Sequence, residues 1–218
     1  MEPVEKTTQP TSRRTQLERR AEAEQRLLIA ARQIVARKGW VGMTLSEVGE
    51  EAGYSRGLAT HHFGNKAGLL RALAGFVNST FMELVQARSP QWRPGIDALK
   101  GFVSVYLARP DGDWVNTRAL LALMSEAVTQ DSETVQVLAE YNLSVQKHLA
   151  RYISEGIDKG EIRPDVDPMT GALLFLGVLR GMMLQILLNP SAVDLELVHT
   201  QMLAFIEHAL ANTLRTPL

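Results

Sequence analysis

The 218-residue sequence predicts an all-α fold. Three observations carry this. Apolar residues recur at helical spacing in almost every segment, Gly and Pro sit at the segment ends, and no run shows the apolar–polar alternation of a half-buried strand. Apolar residues make up 45% and charged residues 22%, ordinary values for a soluble chain with a real core. The length allows one large helical domain or two small ones, and no internal repeat of fixed period is present.

Residues 1–20 are polar, lack the apolar run of a secretory signal, and read as a disordered basic tail. The first helix is "AEQRLLIAARQIVARKG", with Leu27, Leu28, Ala31, Ile34 and Val35 on one face and Gly39 as its stop. In "TLSEVGEEAG", Thr44 caps a short helix and Glu47 completes a capping box. Leu45, Val48 and Ala52 form its inner side, and Gly53 ends it. Ser55 caps the next helix, whose inner face is Leu58, Ala59 and Phe63. Gly64-Asn65 breaks that helix, and Asn65 caps the long "KAGLLRALAGFVNSTFMELVQAR".

Five more helices follow. "GIDALKGFVSVYLAR" lies between Pro94 and Pro110. "WVNTRALLALMSEAV" comes after the turn Asp111-Gly112-Asp113. "SETVQVLAEYNLSVQKHLARYISEGIDKG" ends at Gly160. "DPMTGALLFLGVLRGMMLQILLN" carries Pro168 in its first turn, where a missing N–H costs nothing. "DLELVHTQMLAFIEHAL" closes the series. Met169 to Leu188 is long enough to span a bilayer. Arg180 and Gln185 lie inside it, however, and an Arg near the centre costs about 2.5–3.5 kcal/mol to insert. A deeply buried helix, and no membrane, is the expectation.

With no cysteine, disulfides and thiol catalysis are excluded, and a reducing, cytoplasmic location is the natural reading. Formal net charge is −1, but it is unevenly spread. Residues 1–70 hold 11 Lys and Arg against 8 Asp and Glu; residues 71–218 hold 12 against 16. A weakly basic head on an acidic body points to an anionic partner for the head alone.

The first three helices run long, short, short, and "AGYS" joins the second and third in a tight turn. That is a helix-turn-helix pattern. A helix fits the major groove with its N-terminal residues at the base edges. Ser55-Arg56-Gly57 offers such a front: Gly57 lets backbone approach closely, Arg56 can fork onto guanine or hold a phosphate, and Lys66 can grip the backbone. An enzyme is not expected. His61 and His62 are adjacent, so they point about 100° apart on a helix and do not share a metal easily; the i, i+4 zinc spacing is absent, as are a nucleophile elbow and Gly-rich phosphate loops. No metal or cofactor is expected. A helical scaffold without DNA binding is the alternative.

"TLSEVGEEAGYSRGLATHHFGNKAGLL" resembles the DNA-binding segment of the TetR family, over about Glu22 to Phe76. The remainder is similar more loosely, through "GEIRPDVDPMTGALLFLGVLRGMMLQ". The resemblance implies a helix-turn-helix domain over 21–76 and a larger ligand-binding and dimerisation domain over 77–218. It also implies a homodimeric repressor that leaves a double-stranded DNA operator when a small effector binds. Carried over position by position, Tyr54, Thr60, His61 and Lys66 are phosphate contacts and Arg56, Gly57 and Leu58 are base-edge positions, with Ser55 at the front of the same DNA-binding helix. Thr44 is a cap whose N–H meets phosphate. Thr60 stands where many members carry Tyr. Phe63 is core; His62 either packs beneath the first helix or faces DNA. Arg13, Arg14, Arg19 and Arg20 are either a minor-groove arm or a solubilising tail.

Two further sites are expected in the larger domain. Gly177, Gly181 and Leu184 of the nearly all-apolar helix, with Met202, Phe205 and Ile206 of the last, make a dimer interface. Trp92, Phe102, Tyr106, Trp114, Met124, Tyr141 and Phe175 are either plain core or the wall of a pocket for a small, largely apolar effector. Arg118, Asn142, His148 and Gln185 are the polar candidates beside them. Arg118 either binds an anionic ligand or pairs with an acid such as Glu126.

Overall fold

The computed structural model describes residues 15–108, 113–129 and 133–212, and there every regular element is helical. The nine α-helices are α1 (Gln16–Lys38), α2 (Leu45–Glu51), α3 (Leu58–Phe63), α4 (Lys66–Arg88), α5 (Ile96–Leu107), α6 (Val115–Thr129), α7 (Glu133–Asp158), α8 (Pro168–Leu188) and α9 (Leu195–Leu210). Residues 1–14, with Arg13 and Arg14, and the Asp111-Gly112 part of the expected turn lie outside the described residues.

The helix ends follow capping chemistry. The expected tail is too long, because Thr15 and Glu18 form a reciprocal capping box and start α1 at Gln16. Arg19 and Arg20 therefore ride on a helix. Gly39 ends α1 at φ 75°, in the left-handed region where a Cβ is costly. The Thr44 hydroxyl accepts from the Glu47 N–H, but the Glu47 carboxylate takes the Lys38 ammonium at 2.6 Å instead of closing a box. Asn65, Asp167 and Asp194 cap α4, α8 and α9 through their side-chain oxygens. Ser55 caps nothing with its hydroxyl: α3 starts three residues later, from Gly57, without a side-chain cap.

Two hydrophobic cores result. One is built by Leu27, Ala31, Ile34 and Val35 of α1, Val48 of α2, Ala59 of α3, and Leu69, Leu73 and Val77 of α4. It is closed by Ala119, Leu120, Leu123 and Ala127 of α6, so the head extends its packing beyond residue 76. The second core joins the far end of α4 to α5, α7, α8 and α9 through Val85, Phe102, Leu149, Ile153, Leu179 and Met183. Helix α4 runs through both, with Leu73 in one and Val85 in the other. Helix α8 is buried on one side only. Ala172, Leu176, Leu179, Met183 and Ile186 face the core, whereas Leu173, Leu174, Val178, Leu184 and Leu188 are exposed. Among the described residues it is the one helix long and apolar enough to cross a membrane.

Candidate nucleic-acid interface and interior cavity

Backbone contact sets the angle between α2 and α3. Gly53 makes the turn at φ 79°, and the Tyr54 N–H donates to the Gly49 carbonyl at 2.9 Å. A Cβ on Gly49 would fall 2.5 Å from the Ser55 carbonyl oxygen, so this position in α2 has no room for a side chain. Gly68 plays the same part further on, where a Cβ would fall 2.1 Å from the Phe63 carbonyl. The sequence reading passed over both. The available signal was their cost, about 1 kcal/mol against Ala inside a helix, which calls for a packing reason.

The residues expected to meet DNA divide into two groups. Thr44, at the start of α2, is exposed, as are Ser55, Arg56, Gly57, Thr60 and His61 at the front and outer side of α3. Tyr54 and Leu58 are half-buried and pack against the head core, as does Phe63. Gly57 faces open space: a Cβ there would meet nothing within 4 Å, and its φ of −82° suits any residue. Nothing in the fold requires that glycine. Lys66 is engaged internally, with its ammonium donating to the Val41 carbonyl at 3.0 Å and lying 5.0 Å over the Trp40 ring. Half-buried His62 lies edge-on to His61 and tilted against Phe63. Among the described residues, no group of His, Asp and Glu could hold a metal ion.

The acids of α2 are each answered by a cation. Glu47 pairs with Lys38, Glu51 with Arg37 at 3.2 Å, and Glu50 with Arg56. Pairing mutes the negative charge of α2 beside the exposed front of α3. The Arg56 side chain remains 77% exposed. An exposed pair of this kind is worth about 0–1 kcal/mol, so Arg56 can leave Glu50 for a stronger anion.

In the larger domain, α4, α5 and α6, with Arg32 of α1, line a partly open cavity of about 210 Å³, walled mainly by Phe81, Leu84, Val105, Tyr106 and Trp114. A second, smaller cavity of about 10 Å³ shares Phe81, Tyr106, Asn116 and Thr117 with it and is also lined by Tyr141, Val145, Leu176 and Arg180. Trp114 is held with φ 51°, a left-handed conformation rare for a bulky residue, and its indole N–H donates to the Leu107 carbonyl. Beside the smaller cavity, Arg180 Nη1 donates to Asn142 Oδ1 at 2.5 Å, while Arg180 Nε has no acceptor. The Tyr106 hydroxyl is also buried without a partner. Burial pushes the Tyr106 phenol up to about 12, against the opposing pull of the Arg180 charge. Tyr141 is raised for the same reason, and burial lowers Arg180.

Several expected pocket residues lie elsewhere. Phe102 backs the wall, with its ring 5.3 Å from Phe81 and 6.4 Å from Tyr106. Phe175 lies beyond Phe102, facing a groove between α8 and α9. Trp92 covers Gly101, where a Cβ would come within 2.2 Å of its ring. Met124 packs against the head core. Arg118 lines a polar surface hollow with Arg37 and Glu51 and pairs with Asp113, not Glu126. His148 bonds the Tyr152 hydroxyl at 2.8 Å on α7. Gln185 is exposed. Arg180, not among the expected pocket residues, is the charged group that lines the small cavity.

Two family models match this arrangement. "Bacterial regulatory proteins, tetR family" covers residues 27–73, and "BetI-type transcriptional repressor, C-terminal" covers 95–211. The chain belongs to the TetR family. The HTH-type transcriptional regulator CymR of Pseudomonas putida is 35% identical over 88 residues, which is 40% of this chain and 43% of CymR. The HTH-type transcriptional repressor AcnR of Corynebacterium glutamicum is 27% identical over 145 residues, 66% of this chain and 71% of AcnR. Among solved structures, a transcriptional regulator from Saccharomonospora viridis in complex with choline superposes with a TM-score of 0.78. It is 20% identical and covers 88% of this chain and 99% of that one.

For a TetR-family chain, the exposed side of α8 and α9 is the other surface of interest. Gly177, Gly181, Leu184 and Phe205 lie on it. Met202 and Ile206 do not: they are 6% and 2% exposed and turn into the protomer's own core, because they share a helical stripe with Val198 and Leu210. Leu197, at 56% exposure, is the other large apolar side chain of α9 left exposed with Phe205.

Proposed function

We propose that the chain is a homodimeric repressor that binds a palindromic operator through α3 and is released by a small effector in the α4–α8 cavity. The observation that carries the DNA reading is the exposed front of α3. Ser55, Arg56, Gly57, Thr60 and His61 face outward together, and Gly57 has no internal reason to be glycine. On this reading Arg56 and the α3 front meet base edges, while Thr44, Tyr54, Thr60, His61 and Lys66 meet phosphates. Lys66 then leaves the Val41 carbonyl or works from it.

One six-residue helix reads few base pairs. A two-fold dimer doubles the site and sets half-sites about 34–36 Å apart, or a multiple. The outer side of α8 and α9 supports the pairing: Leu174, Val178, Leu184, Leu197 and Phe205 are all exposed there, apolar surface of the kind that marks an interface. The fold neighbour that holds choline supports an effector site in this architecture. An operator binder of this kind works in the cytoplasm, where the bacterial DNA is.

The test is fluorescence anisotropy of the full chain against its own upstream promoter DNA, beside a scrambled duplex, at two salt concentrations. Preferential binding to the promoter with a steep salt dependence is expected. Equal, weak binding to both duplexes would overturn the DNA reading in favour of a helical scaffold.

A further inference from the structure

We propose that the effector is a small organic carboxylate, its apolar body in the α4–α6 chamber and its carboxylate on Arg180 and Tyr106. This rests on the effector reading above and gives that site its chemistry.

The polar groups that line the small cavity are mismatched in one direction. Arg180 is a permanent cation on a helix otherwise almost wholly apolar. Its one side-chain partner is the neutral Asn142 amide oxygen, and among the described residues no carboxylate pairs with it. A half-buried charge without a counter-ion is costly unless something supplies one. The Nε–H edge of the same guanidinium is buried and has no acceptor. Tyr106 adds a second unanswered group: its side chain is 94% buried by its 6% exposure, and its hydroxyl has no partner. With its proton held well above neutral pH, that hydroxyl serves as a donor. Arg180 and Tyr106 line the same small cavity, and a guanidinium beside a phenol O–H is complementary to an anion and repels a cation.

Shape selects the carboxylate. The free Nε edge matches the planar fork of a carboxylate, which an arginine binds side-on through two parallel N–H groups. The small cavity beside Arg180, at about 10 Å³, holds roughly one water-sized group as it stands, so a flat carboxylate asks less displacement of its walls than a tetrahedral phosphate. The neighbouring 210 Å³ is mostly apolar, walled by Phe81, Leu84, Val105 and Trp114, with Arg32, Asn116 and Thr117 as its polar margin. A cavity of about 150 Å³ takes a benzene ring, so the body is a single ring or an alkyl chain of about that bulk.

The experiment is isothermal titration of the full chain with matched pairs, benzoate and benzamide, hexanoate and hexanamide, with benzyl phosphate as the competing anion. At least one acid is expected to bind, about tenfold or more tighter than its amide and than the phosphate. Arg180→Gln should abolish the preference of acid over amide, and Tyr106→Phe should weaken the acid about three- to tenfold. Arg180→Met provides a second readout that needs no ligand. Removing an uncompensated charge should leave the melting temperature unchanged or raised, whereas a structural arginine would lower it. Acid and amide binding alike, no acid binding, preference for the phosphate, or a marked fall in melting temperature for Arg180→Met would each overturn the proposal. Titration is independent of DNA, so failure of the operator assay with retained acid preference would sink only the repressor reading.

Discussion

Gly49 and Gly57 lie eight residues apart on either side of the same turn, yet they should respond oppositely to one added methyl group. In Gly49→Ala the new Cβ falls 2.5 Å from the Ser55 carbonyl oxygen, short of the 3.0 Å that real Cβ contacts respect. The obstacle is backbone, and it is held: that carbonyl accepts from the Leu58 N–H at 3.1 Å, and Gly49's own carbonyl accepts from Tyr54. Overpacking of this kind costs about 1–3 kcal/mol. Better helix propensity returns up to about 1 kcal/mol. A net loss of about 1–2 kcal/mol is expected, lowering Tm by roughly 2–8 °C in a chain of this size. Because Ser55 must move, operator affinity falls as well.

Gly57→Ala meets nothing within 4 Å and needs no unusual φ, so stability should stay level or rise by up to about 1 kcal/mol. Its cost should appear only on DNA, where a methyl group at a close approach should reduce operator affinity about tenfold or more, roughly 1.4 kcal/mol. Thermal melts at one protein concentration, paired with anisotropy on the operator, separate the two. If Gly57→Ala binds the operator as tightly as the parent, the front of α3 does not approach DNA closely. If Gly49→Ala melts with the parent, the turn is softer than its contacts imply.

Glu50→Gln frees Arg56 from its ion pair; operator affinity at low salt should rise about two- to fivefold while stability moves by less than about 1 kcal/mol, as read by anisotropy and melting. Leu184→Glu places a charge on the exposed apolar side of α8 and should yield monomers by light scattering, with weaker operator binding. Tyr106 is raised from 10.0 to about 12, so the folded state keeps a proton that the unfolded state loses in between. Its contribution is complete below pH 10 and fades towards pH 12, by up to about 1.4 kcal/mol per pH unit; Tyr106→Phe should melt with a shallower alkaline slope than the parent.

All nine helices were legible because each carries its own period and punctuation: Gly39, Gly53 and Gly64 as stops, and Thr44, Asn65 and Pro168 at starts. What the sequence hid depends on contacts between elements. Residues of α6 could not be assigned to the head core from periodicity, since an apolar stripe does not say which neighbour it meets. Met202 and Phe205 sit three apart on one helix, and only the packed structure separates the one turned inward from the one left exposed. Arg118 and Arg180 looked alike as cations on apolar helices. Arg118 finds Asp113 close by in sequence, whereas Arg180 finds only Asn142, 38 residues away and neutral.

On the proposed function, the placement of the cavity offers a physical route from effector to operator. Its wall and that of the smaller cavity include Phe81 of α4 and Asn116, Thr117 and Leu120 of α6. These two helices also close the head core, through Leu73 and Val77 on α4 and Ala119 and Leu123 on α6. Polar contacts tie the same pieces together: Asn116 donates to the Val77 carbonyl at 2.8 Å, and Arg32 of α1 lies 5.5 Å over the Phe76 ring. If the chain acts as the dimer proposed above, a ligand that shifts α6 against α4 moves α1 and, with it, the two recognition helices. Tight binding is not sufficient. The effector shifts the equilibrium only by its preference for the arrangement with the wrong half-site spacing, and a preference of about 100-fold supplies about 2.7 kcal/mol. By linkage, operator DNA must weaken effector binding by the same factor. Equal effector affinities with and without operator would mean that the shared helices carry no signal.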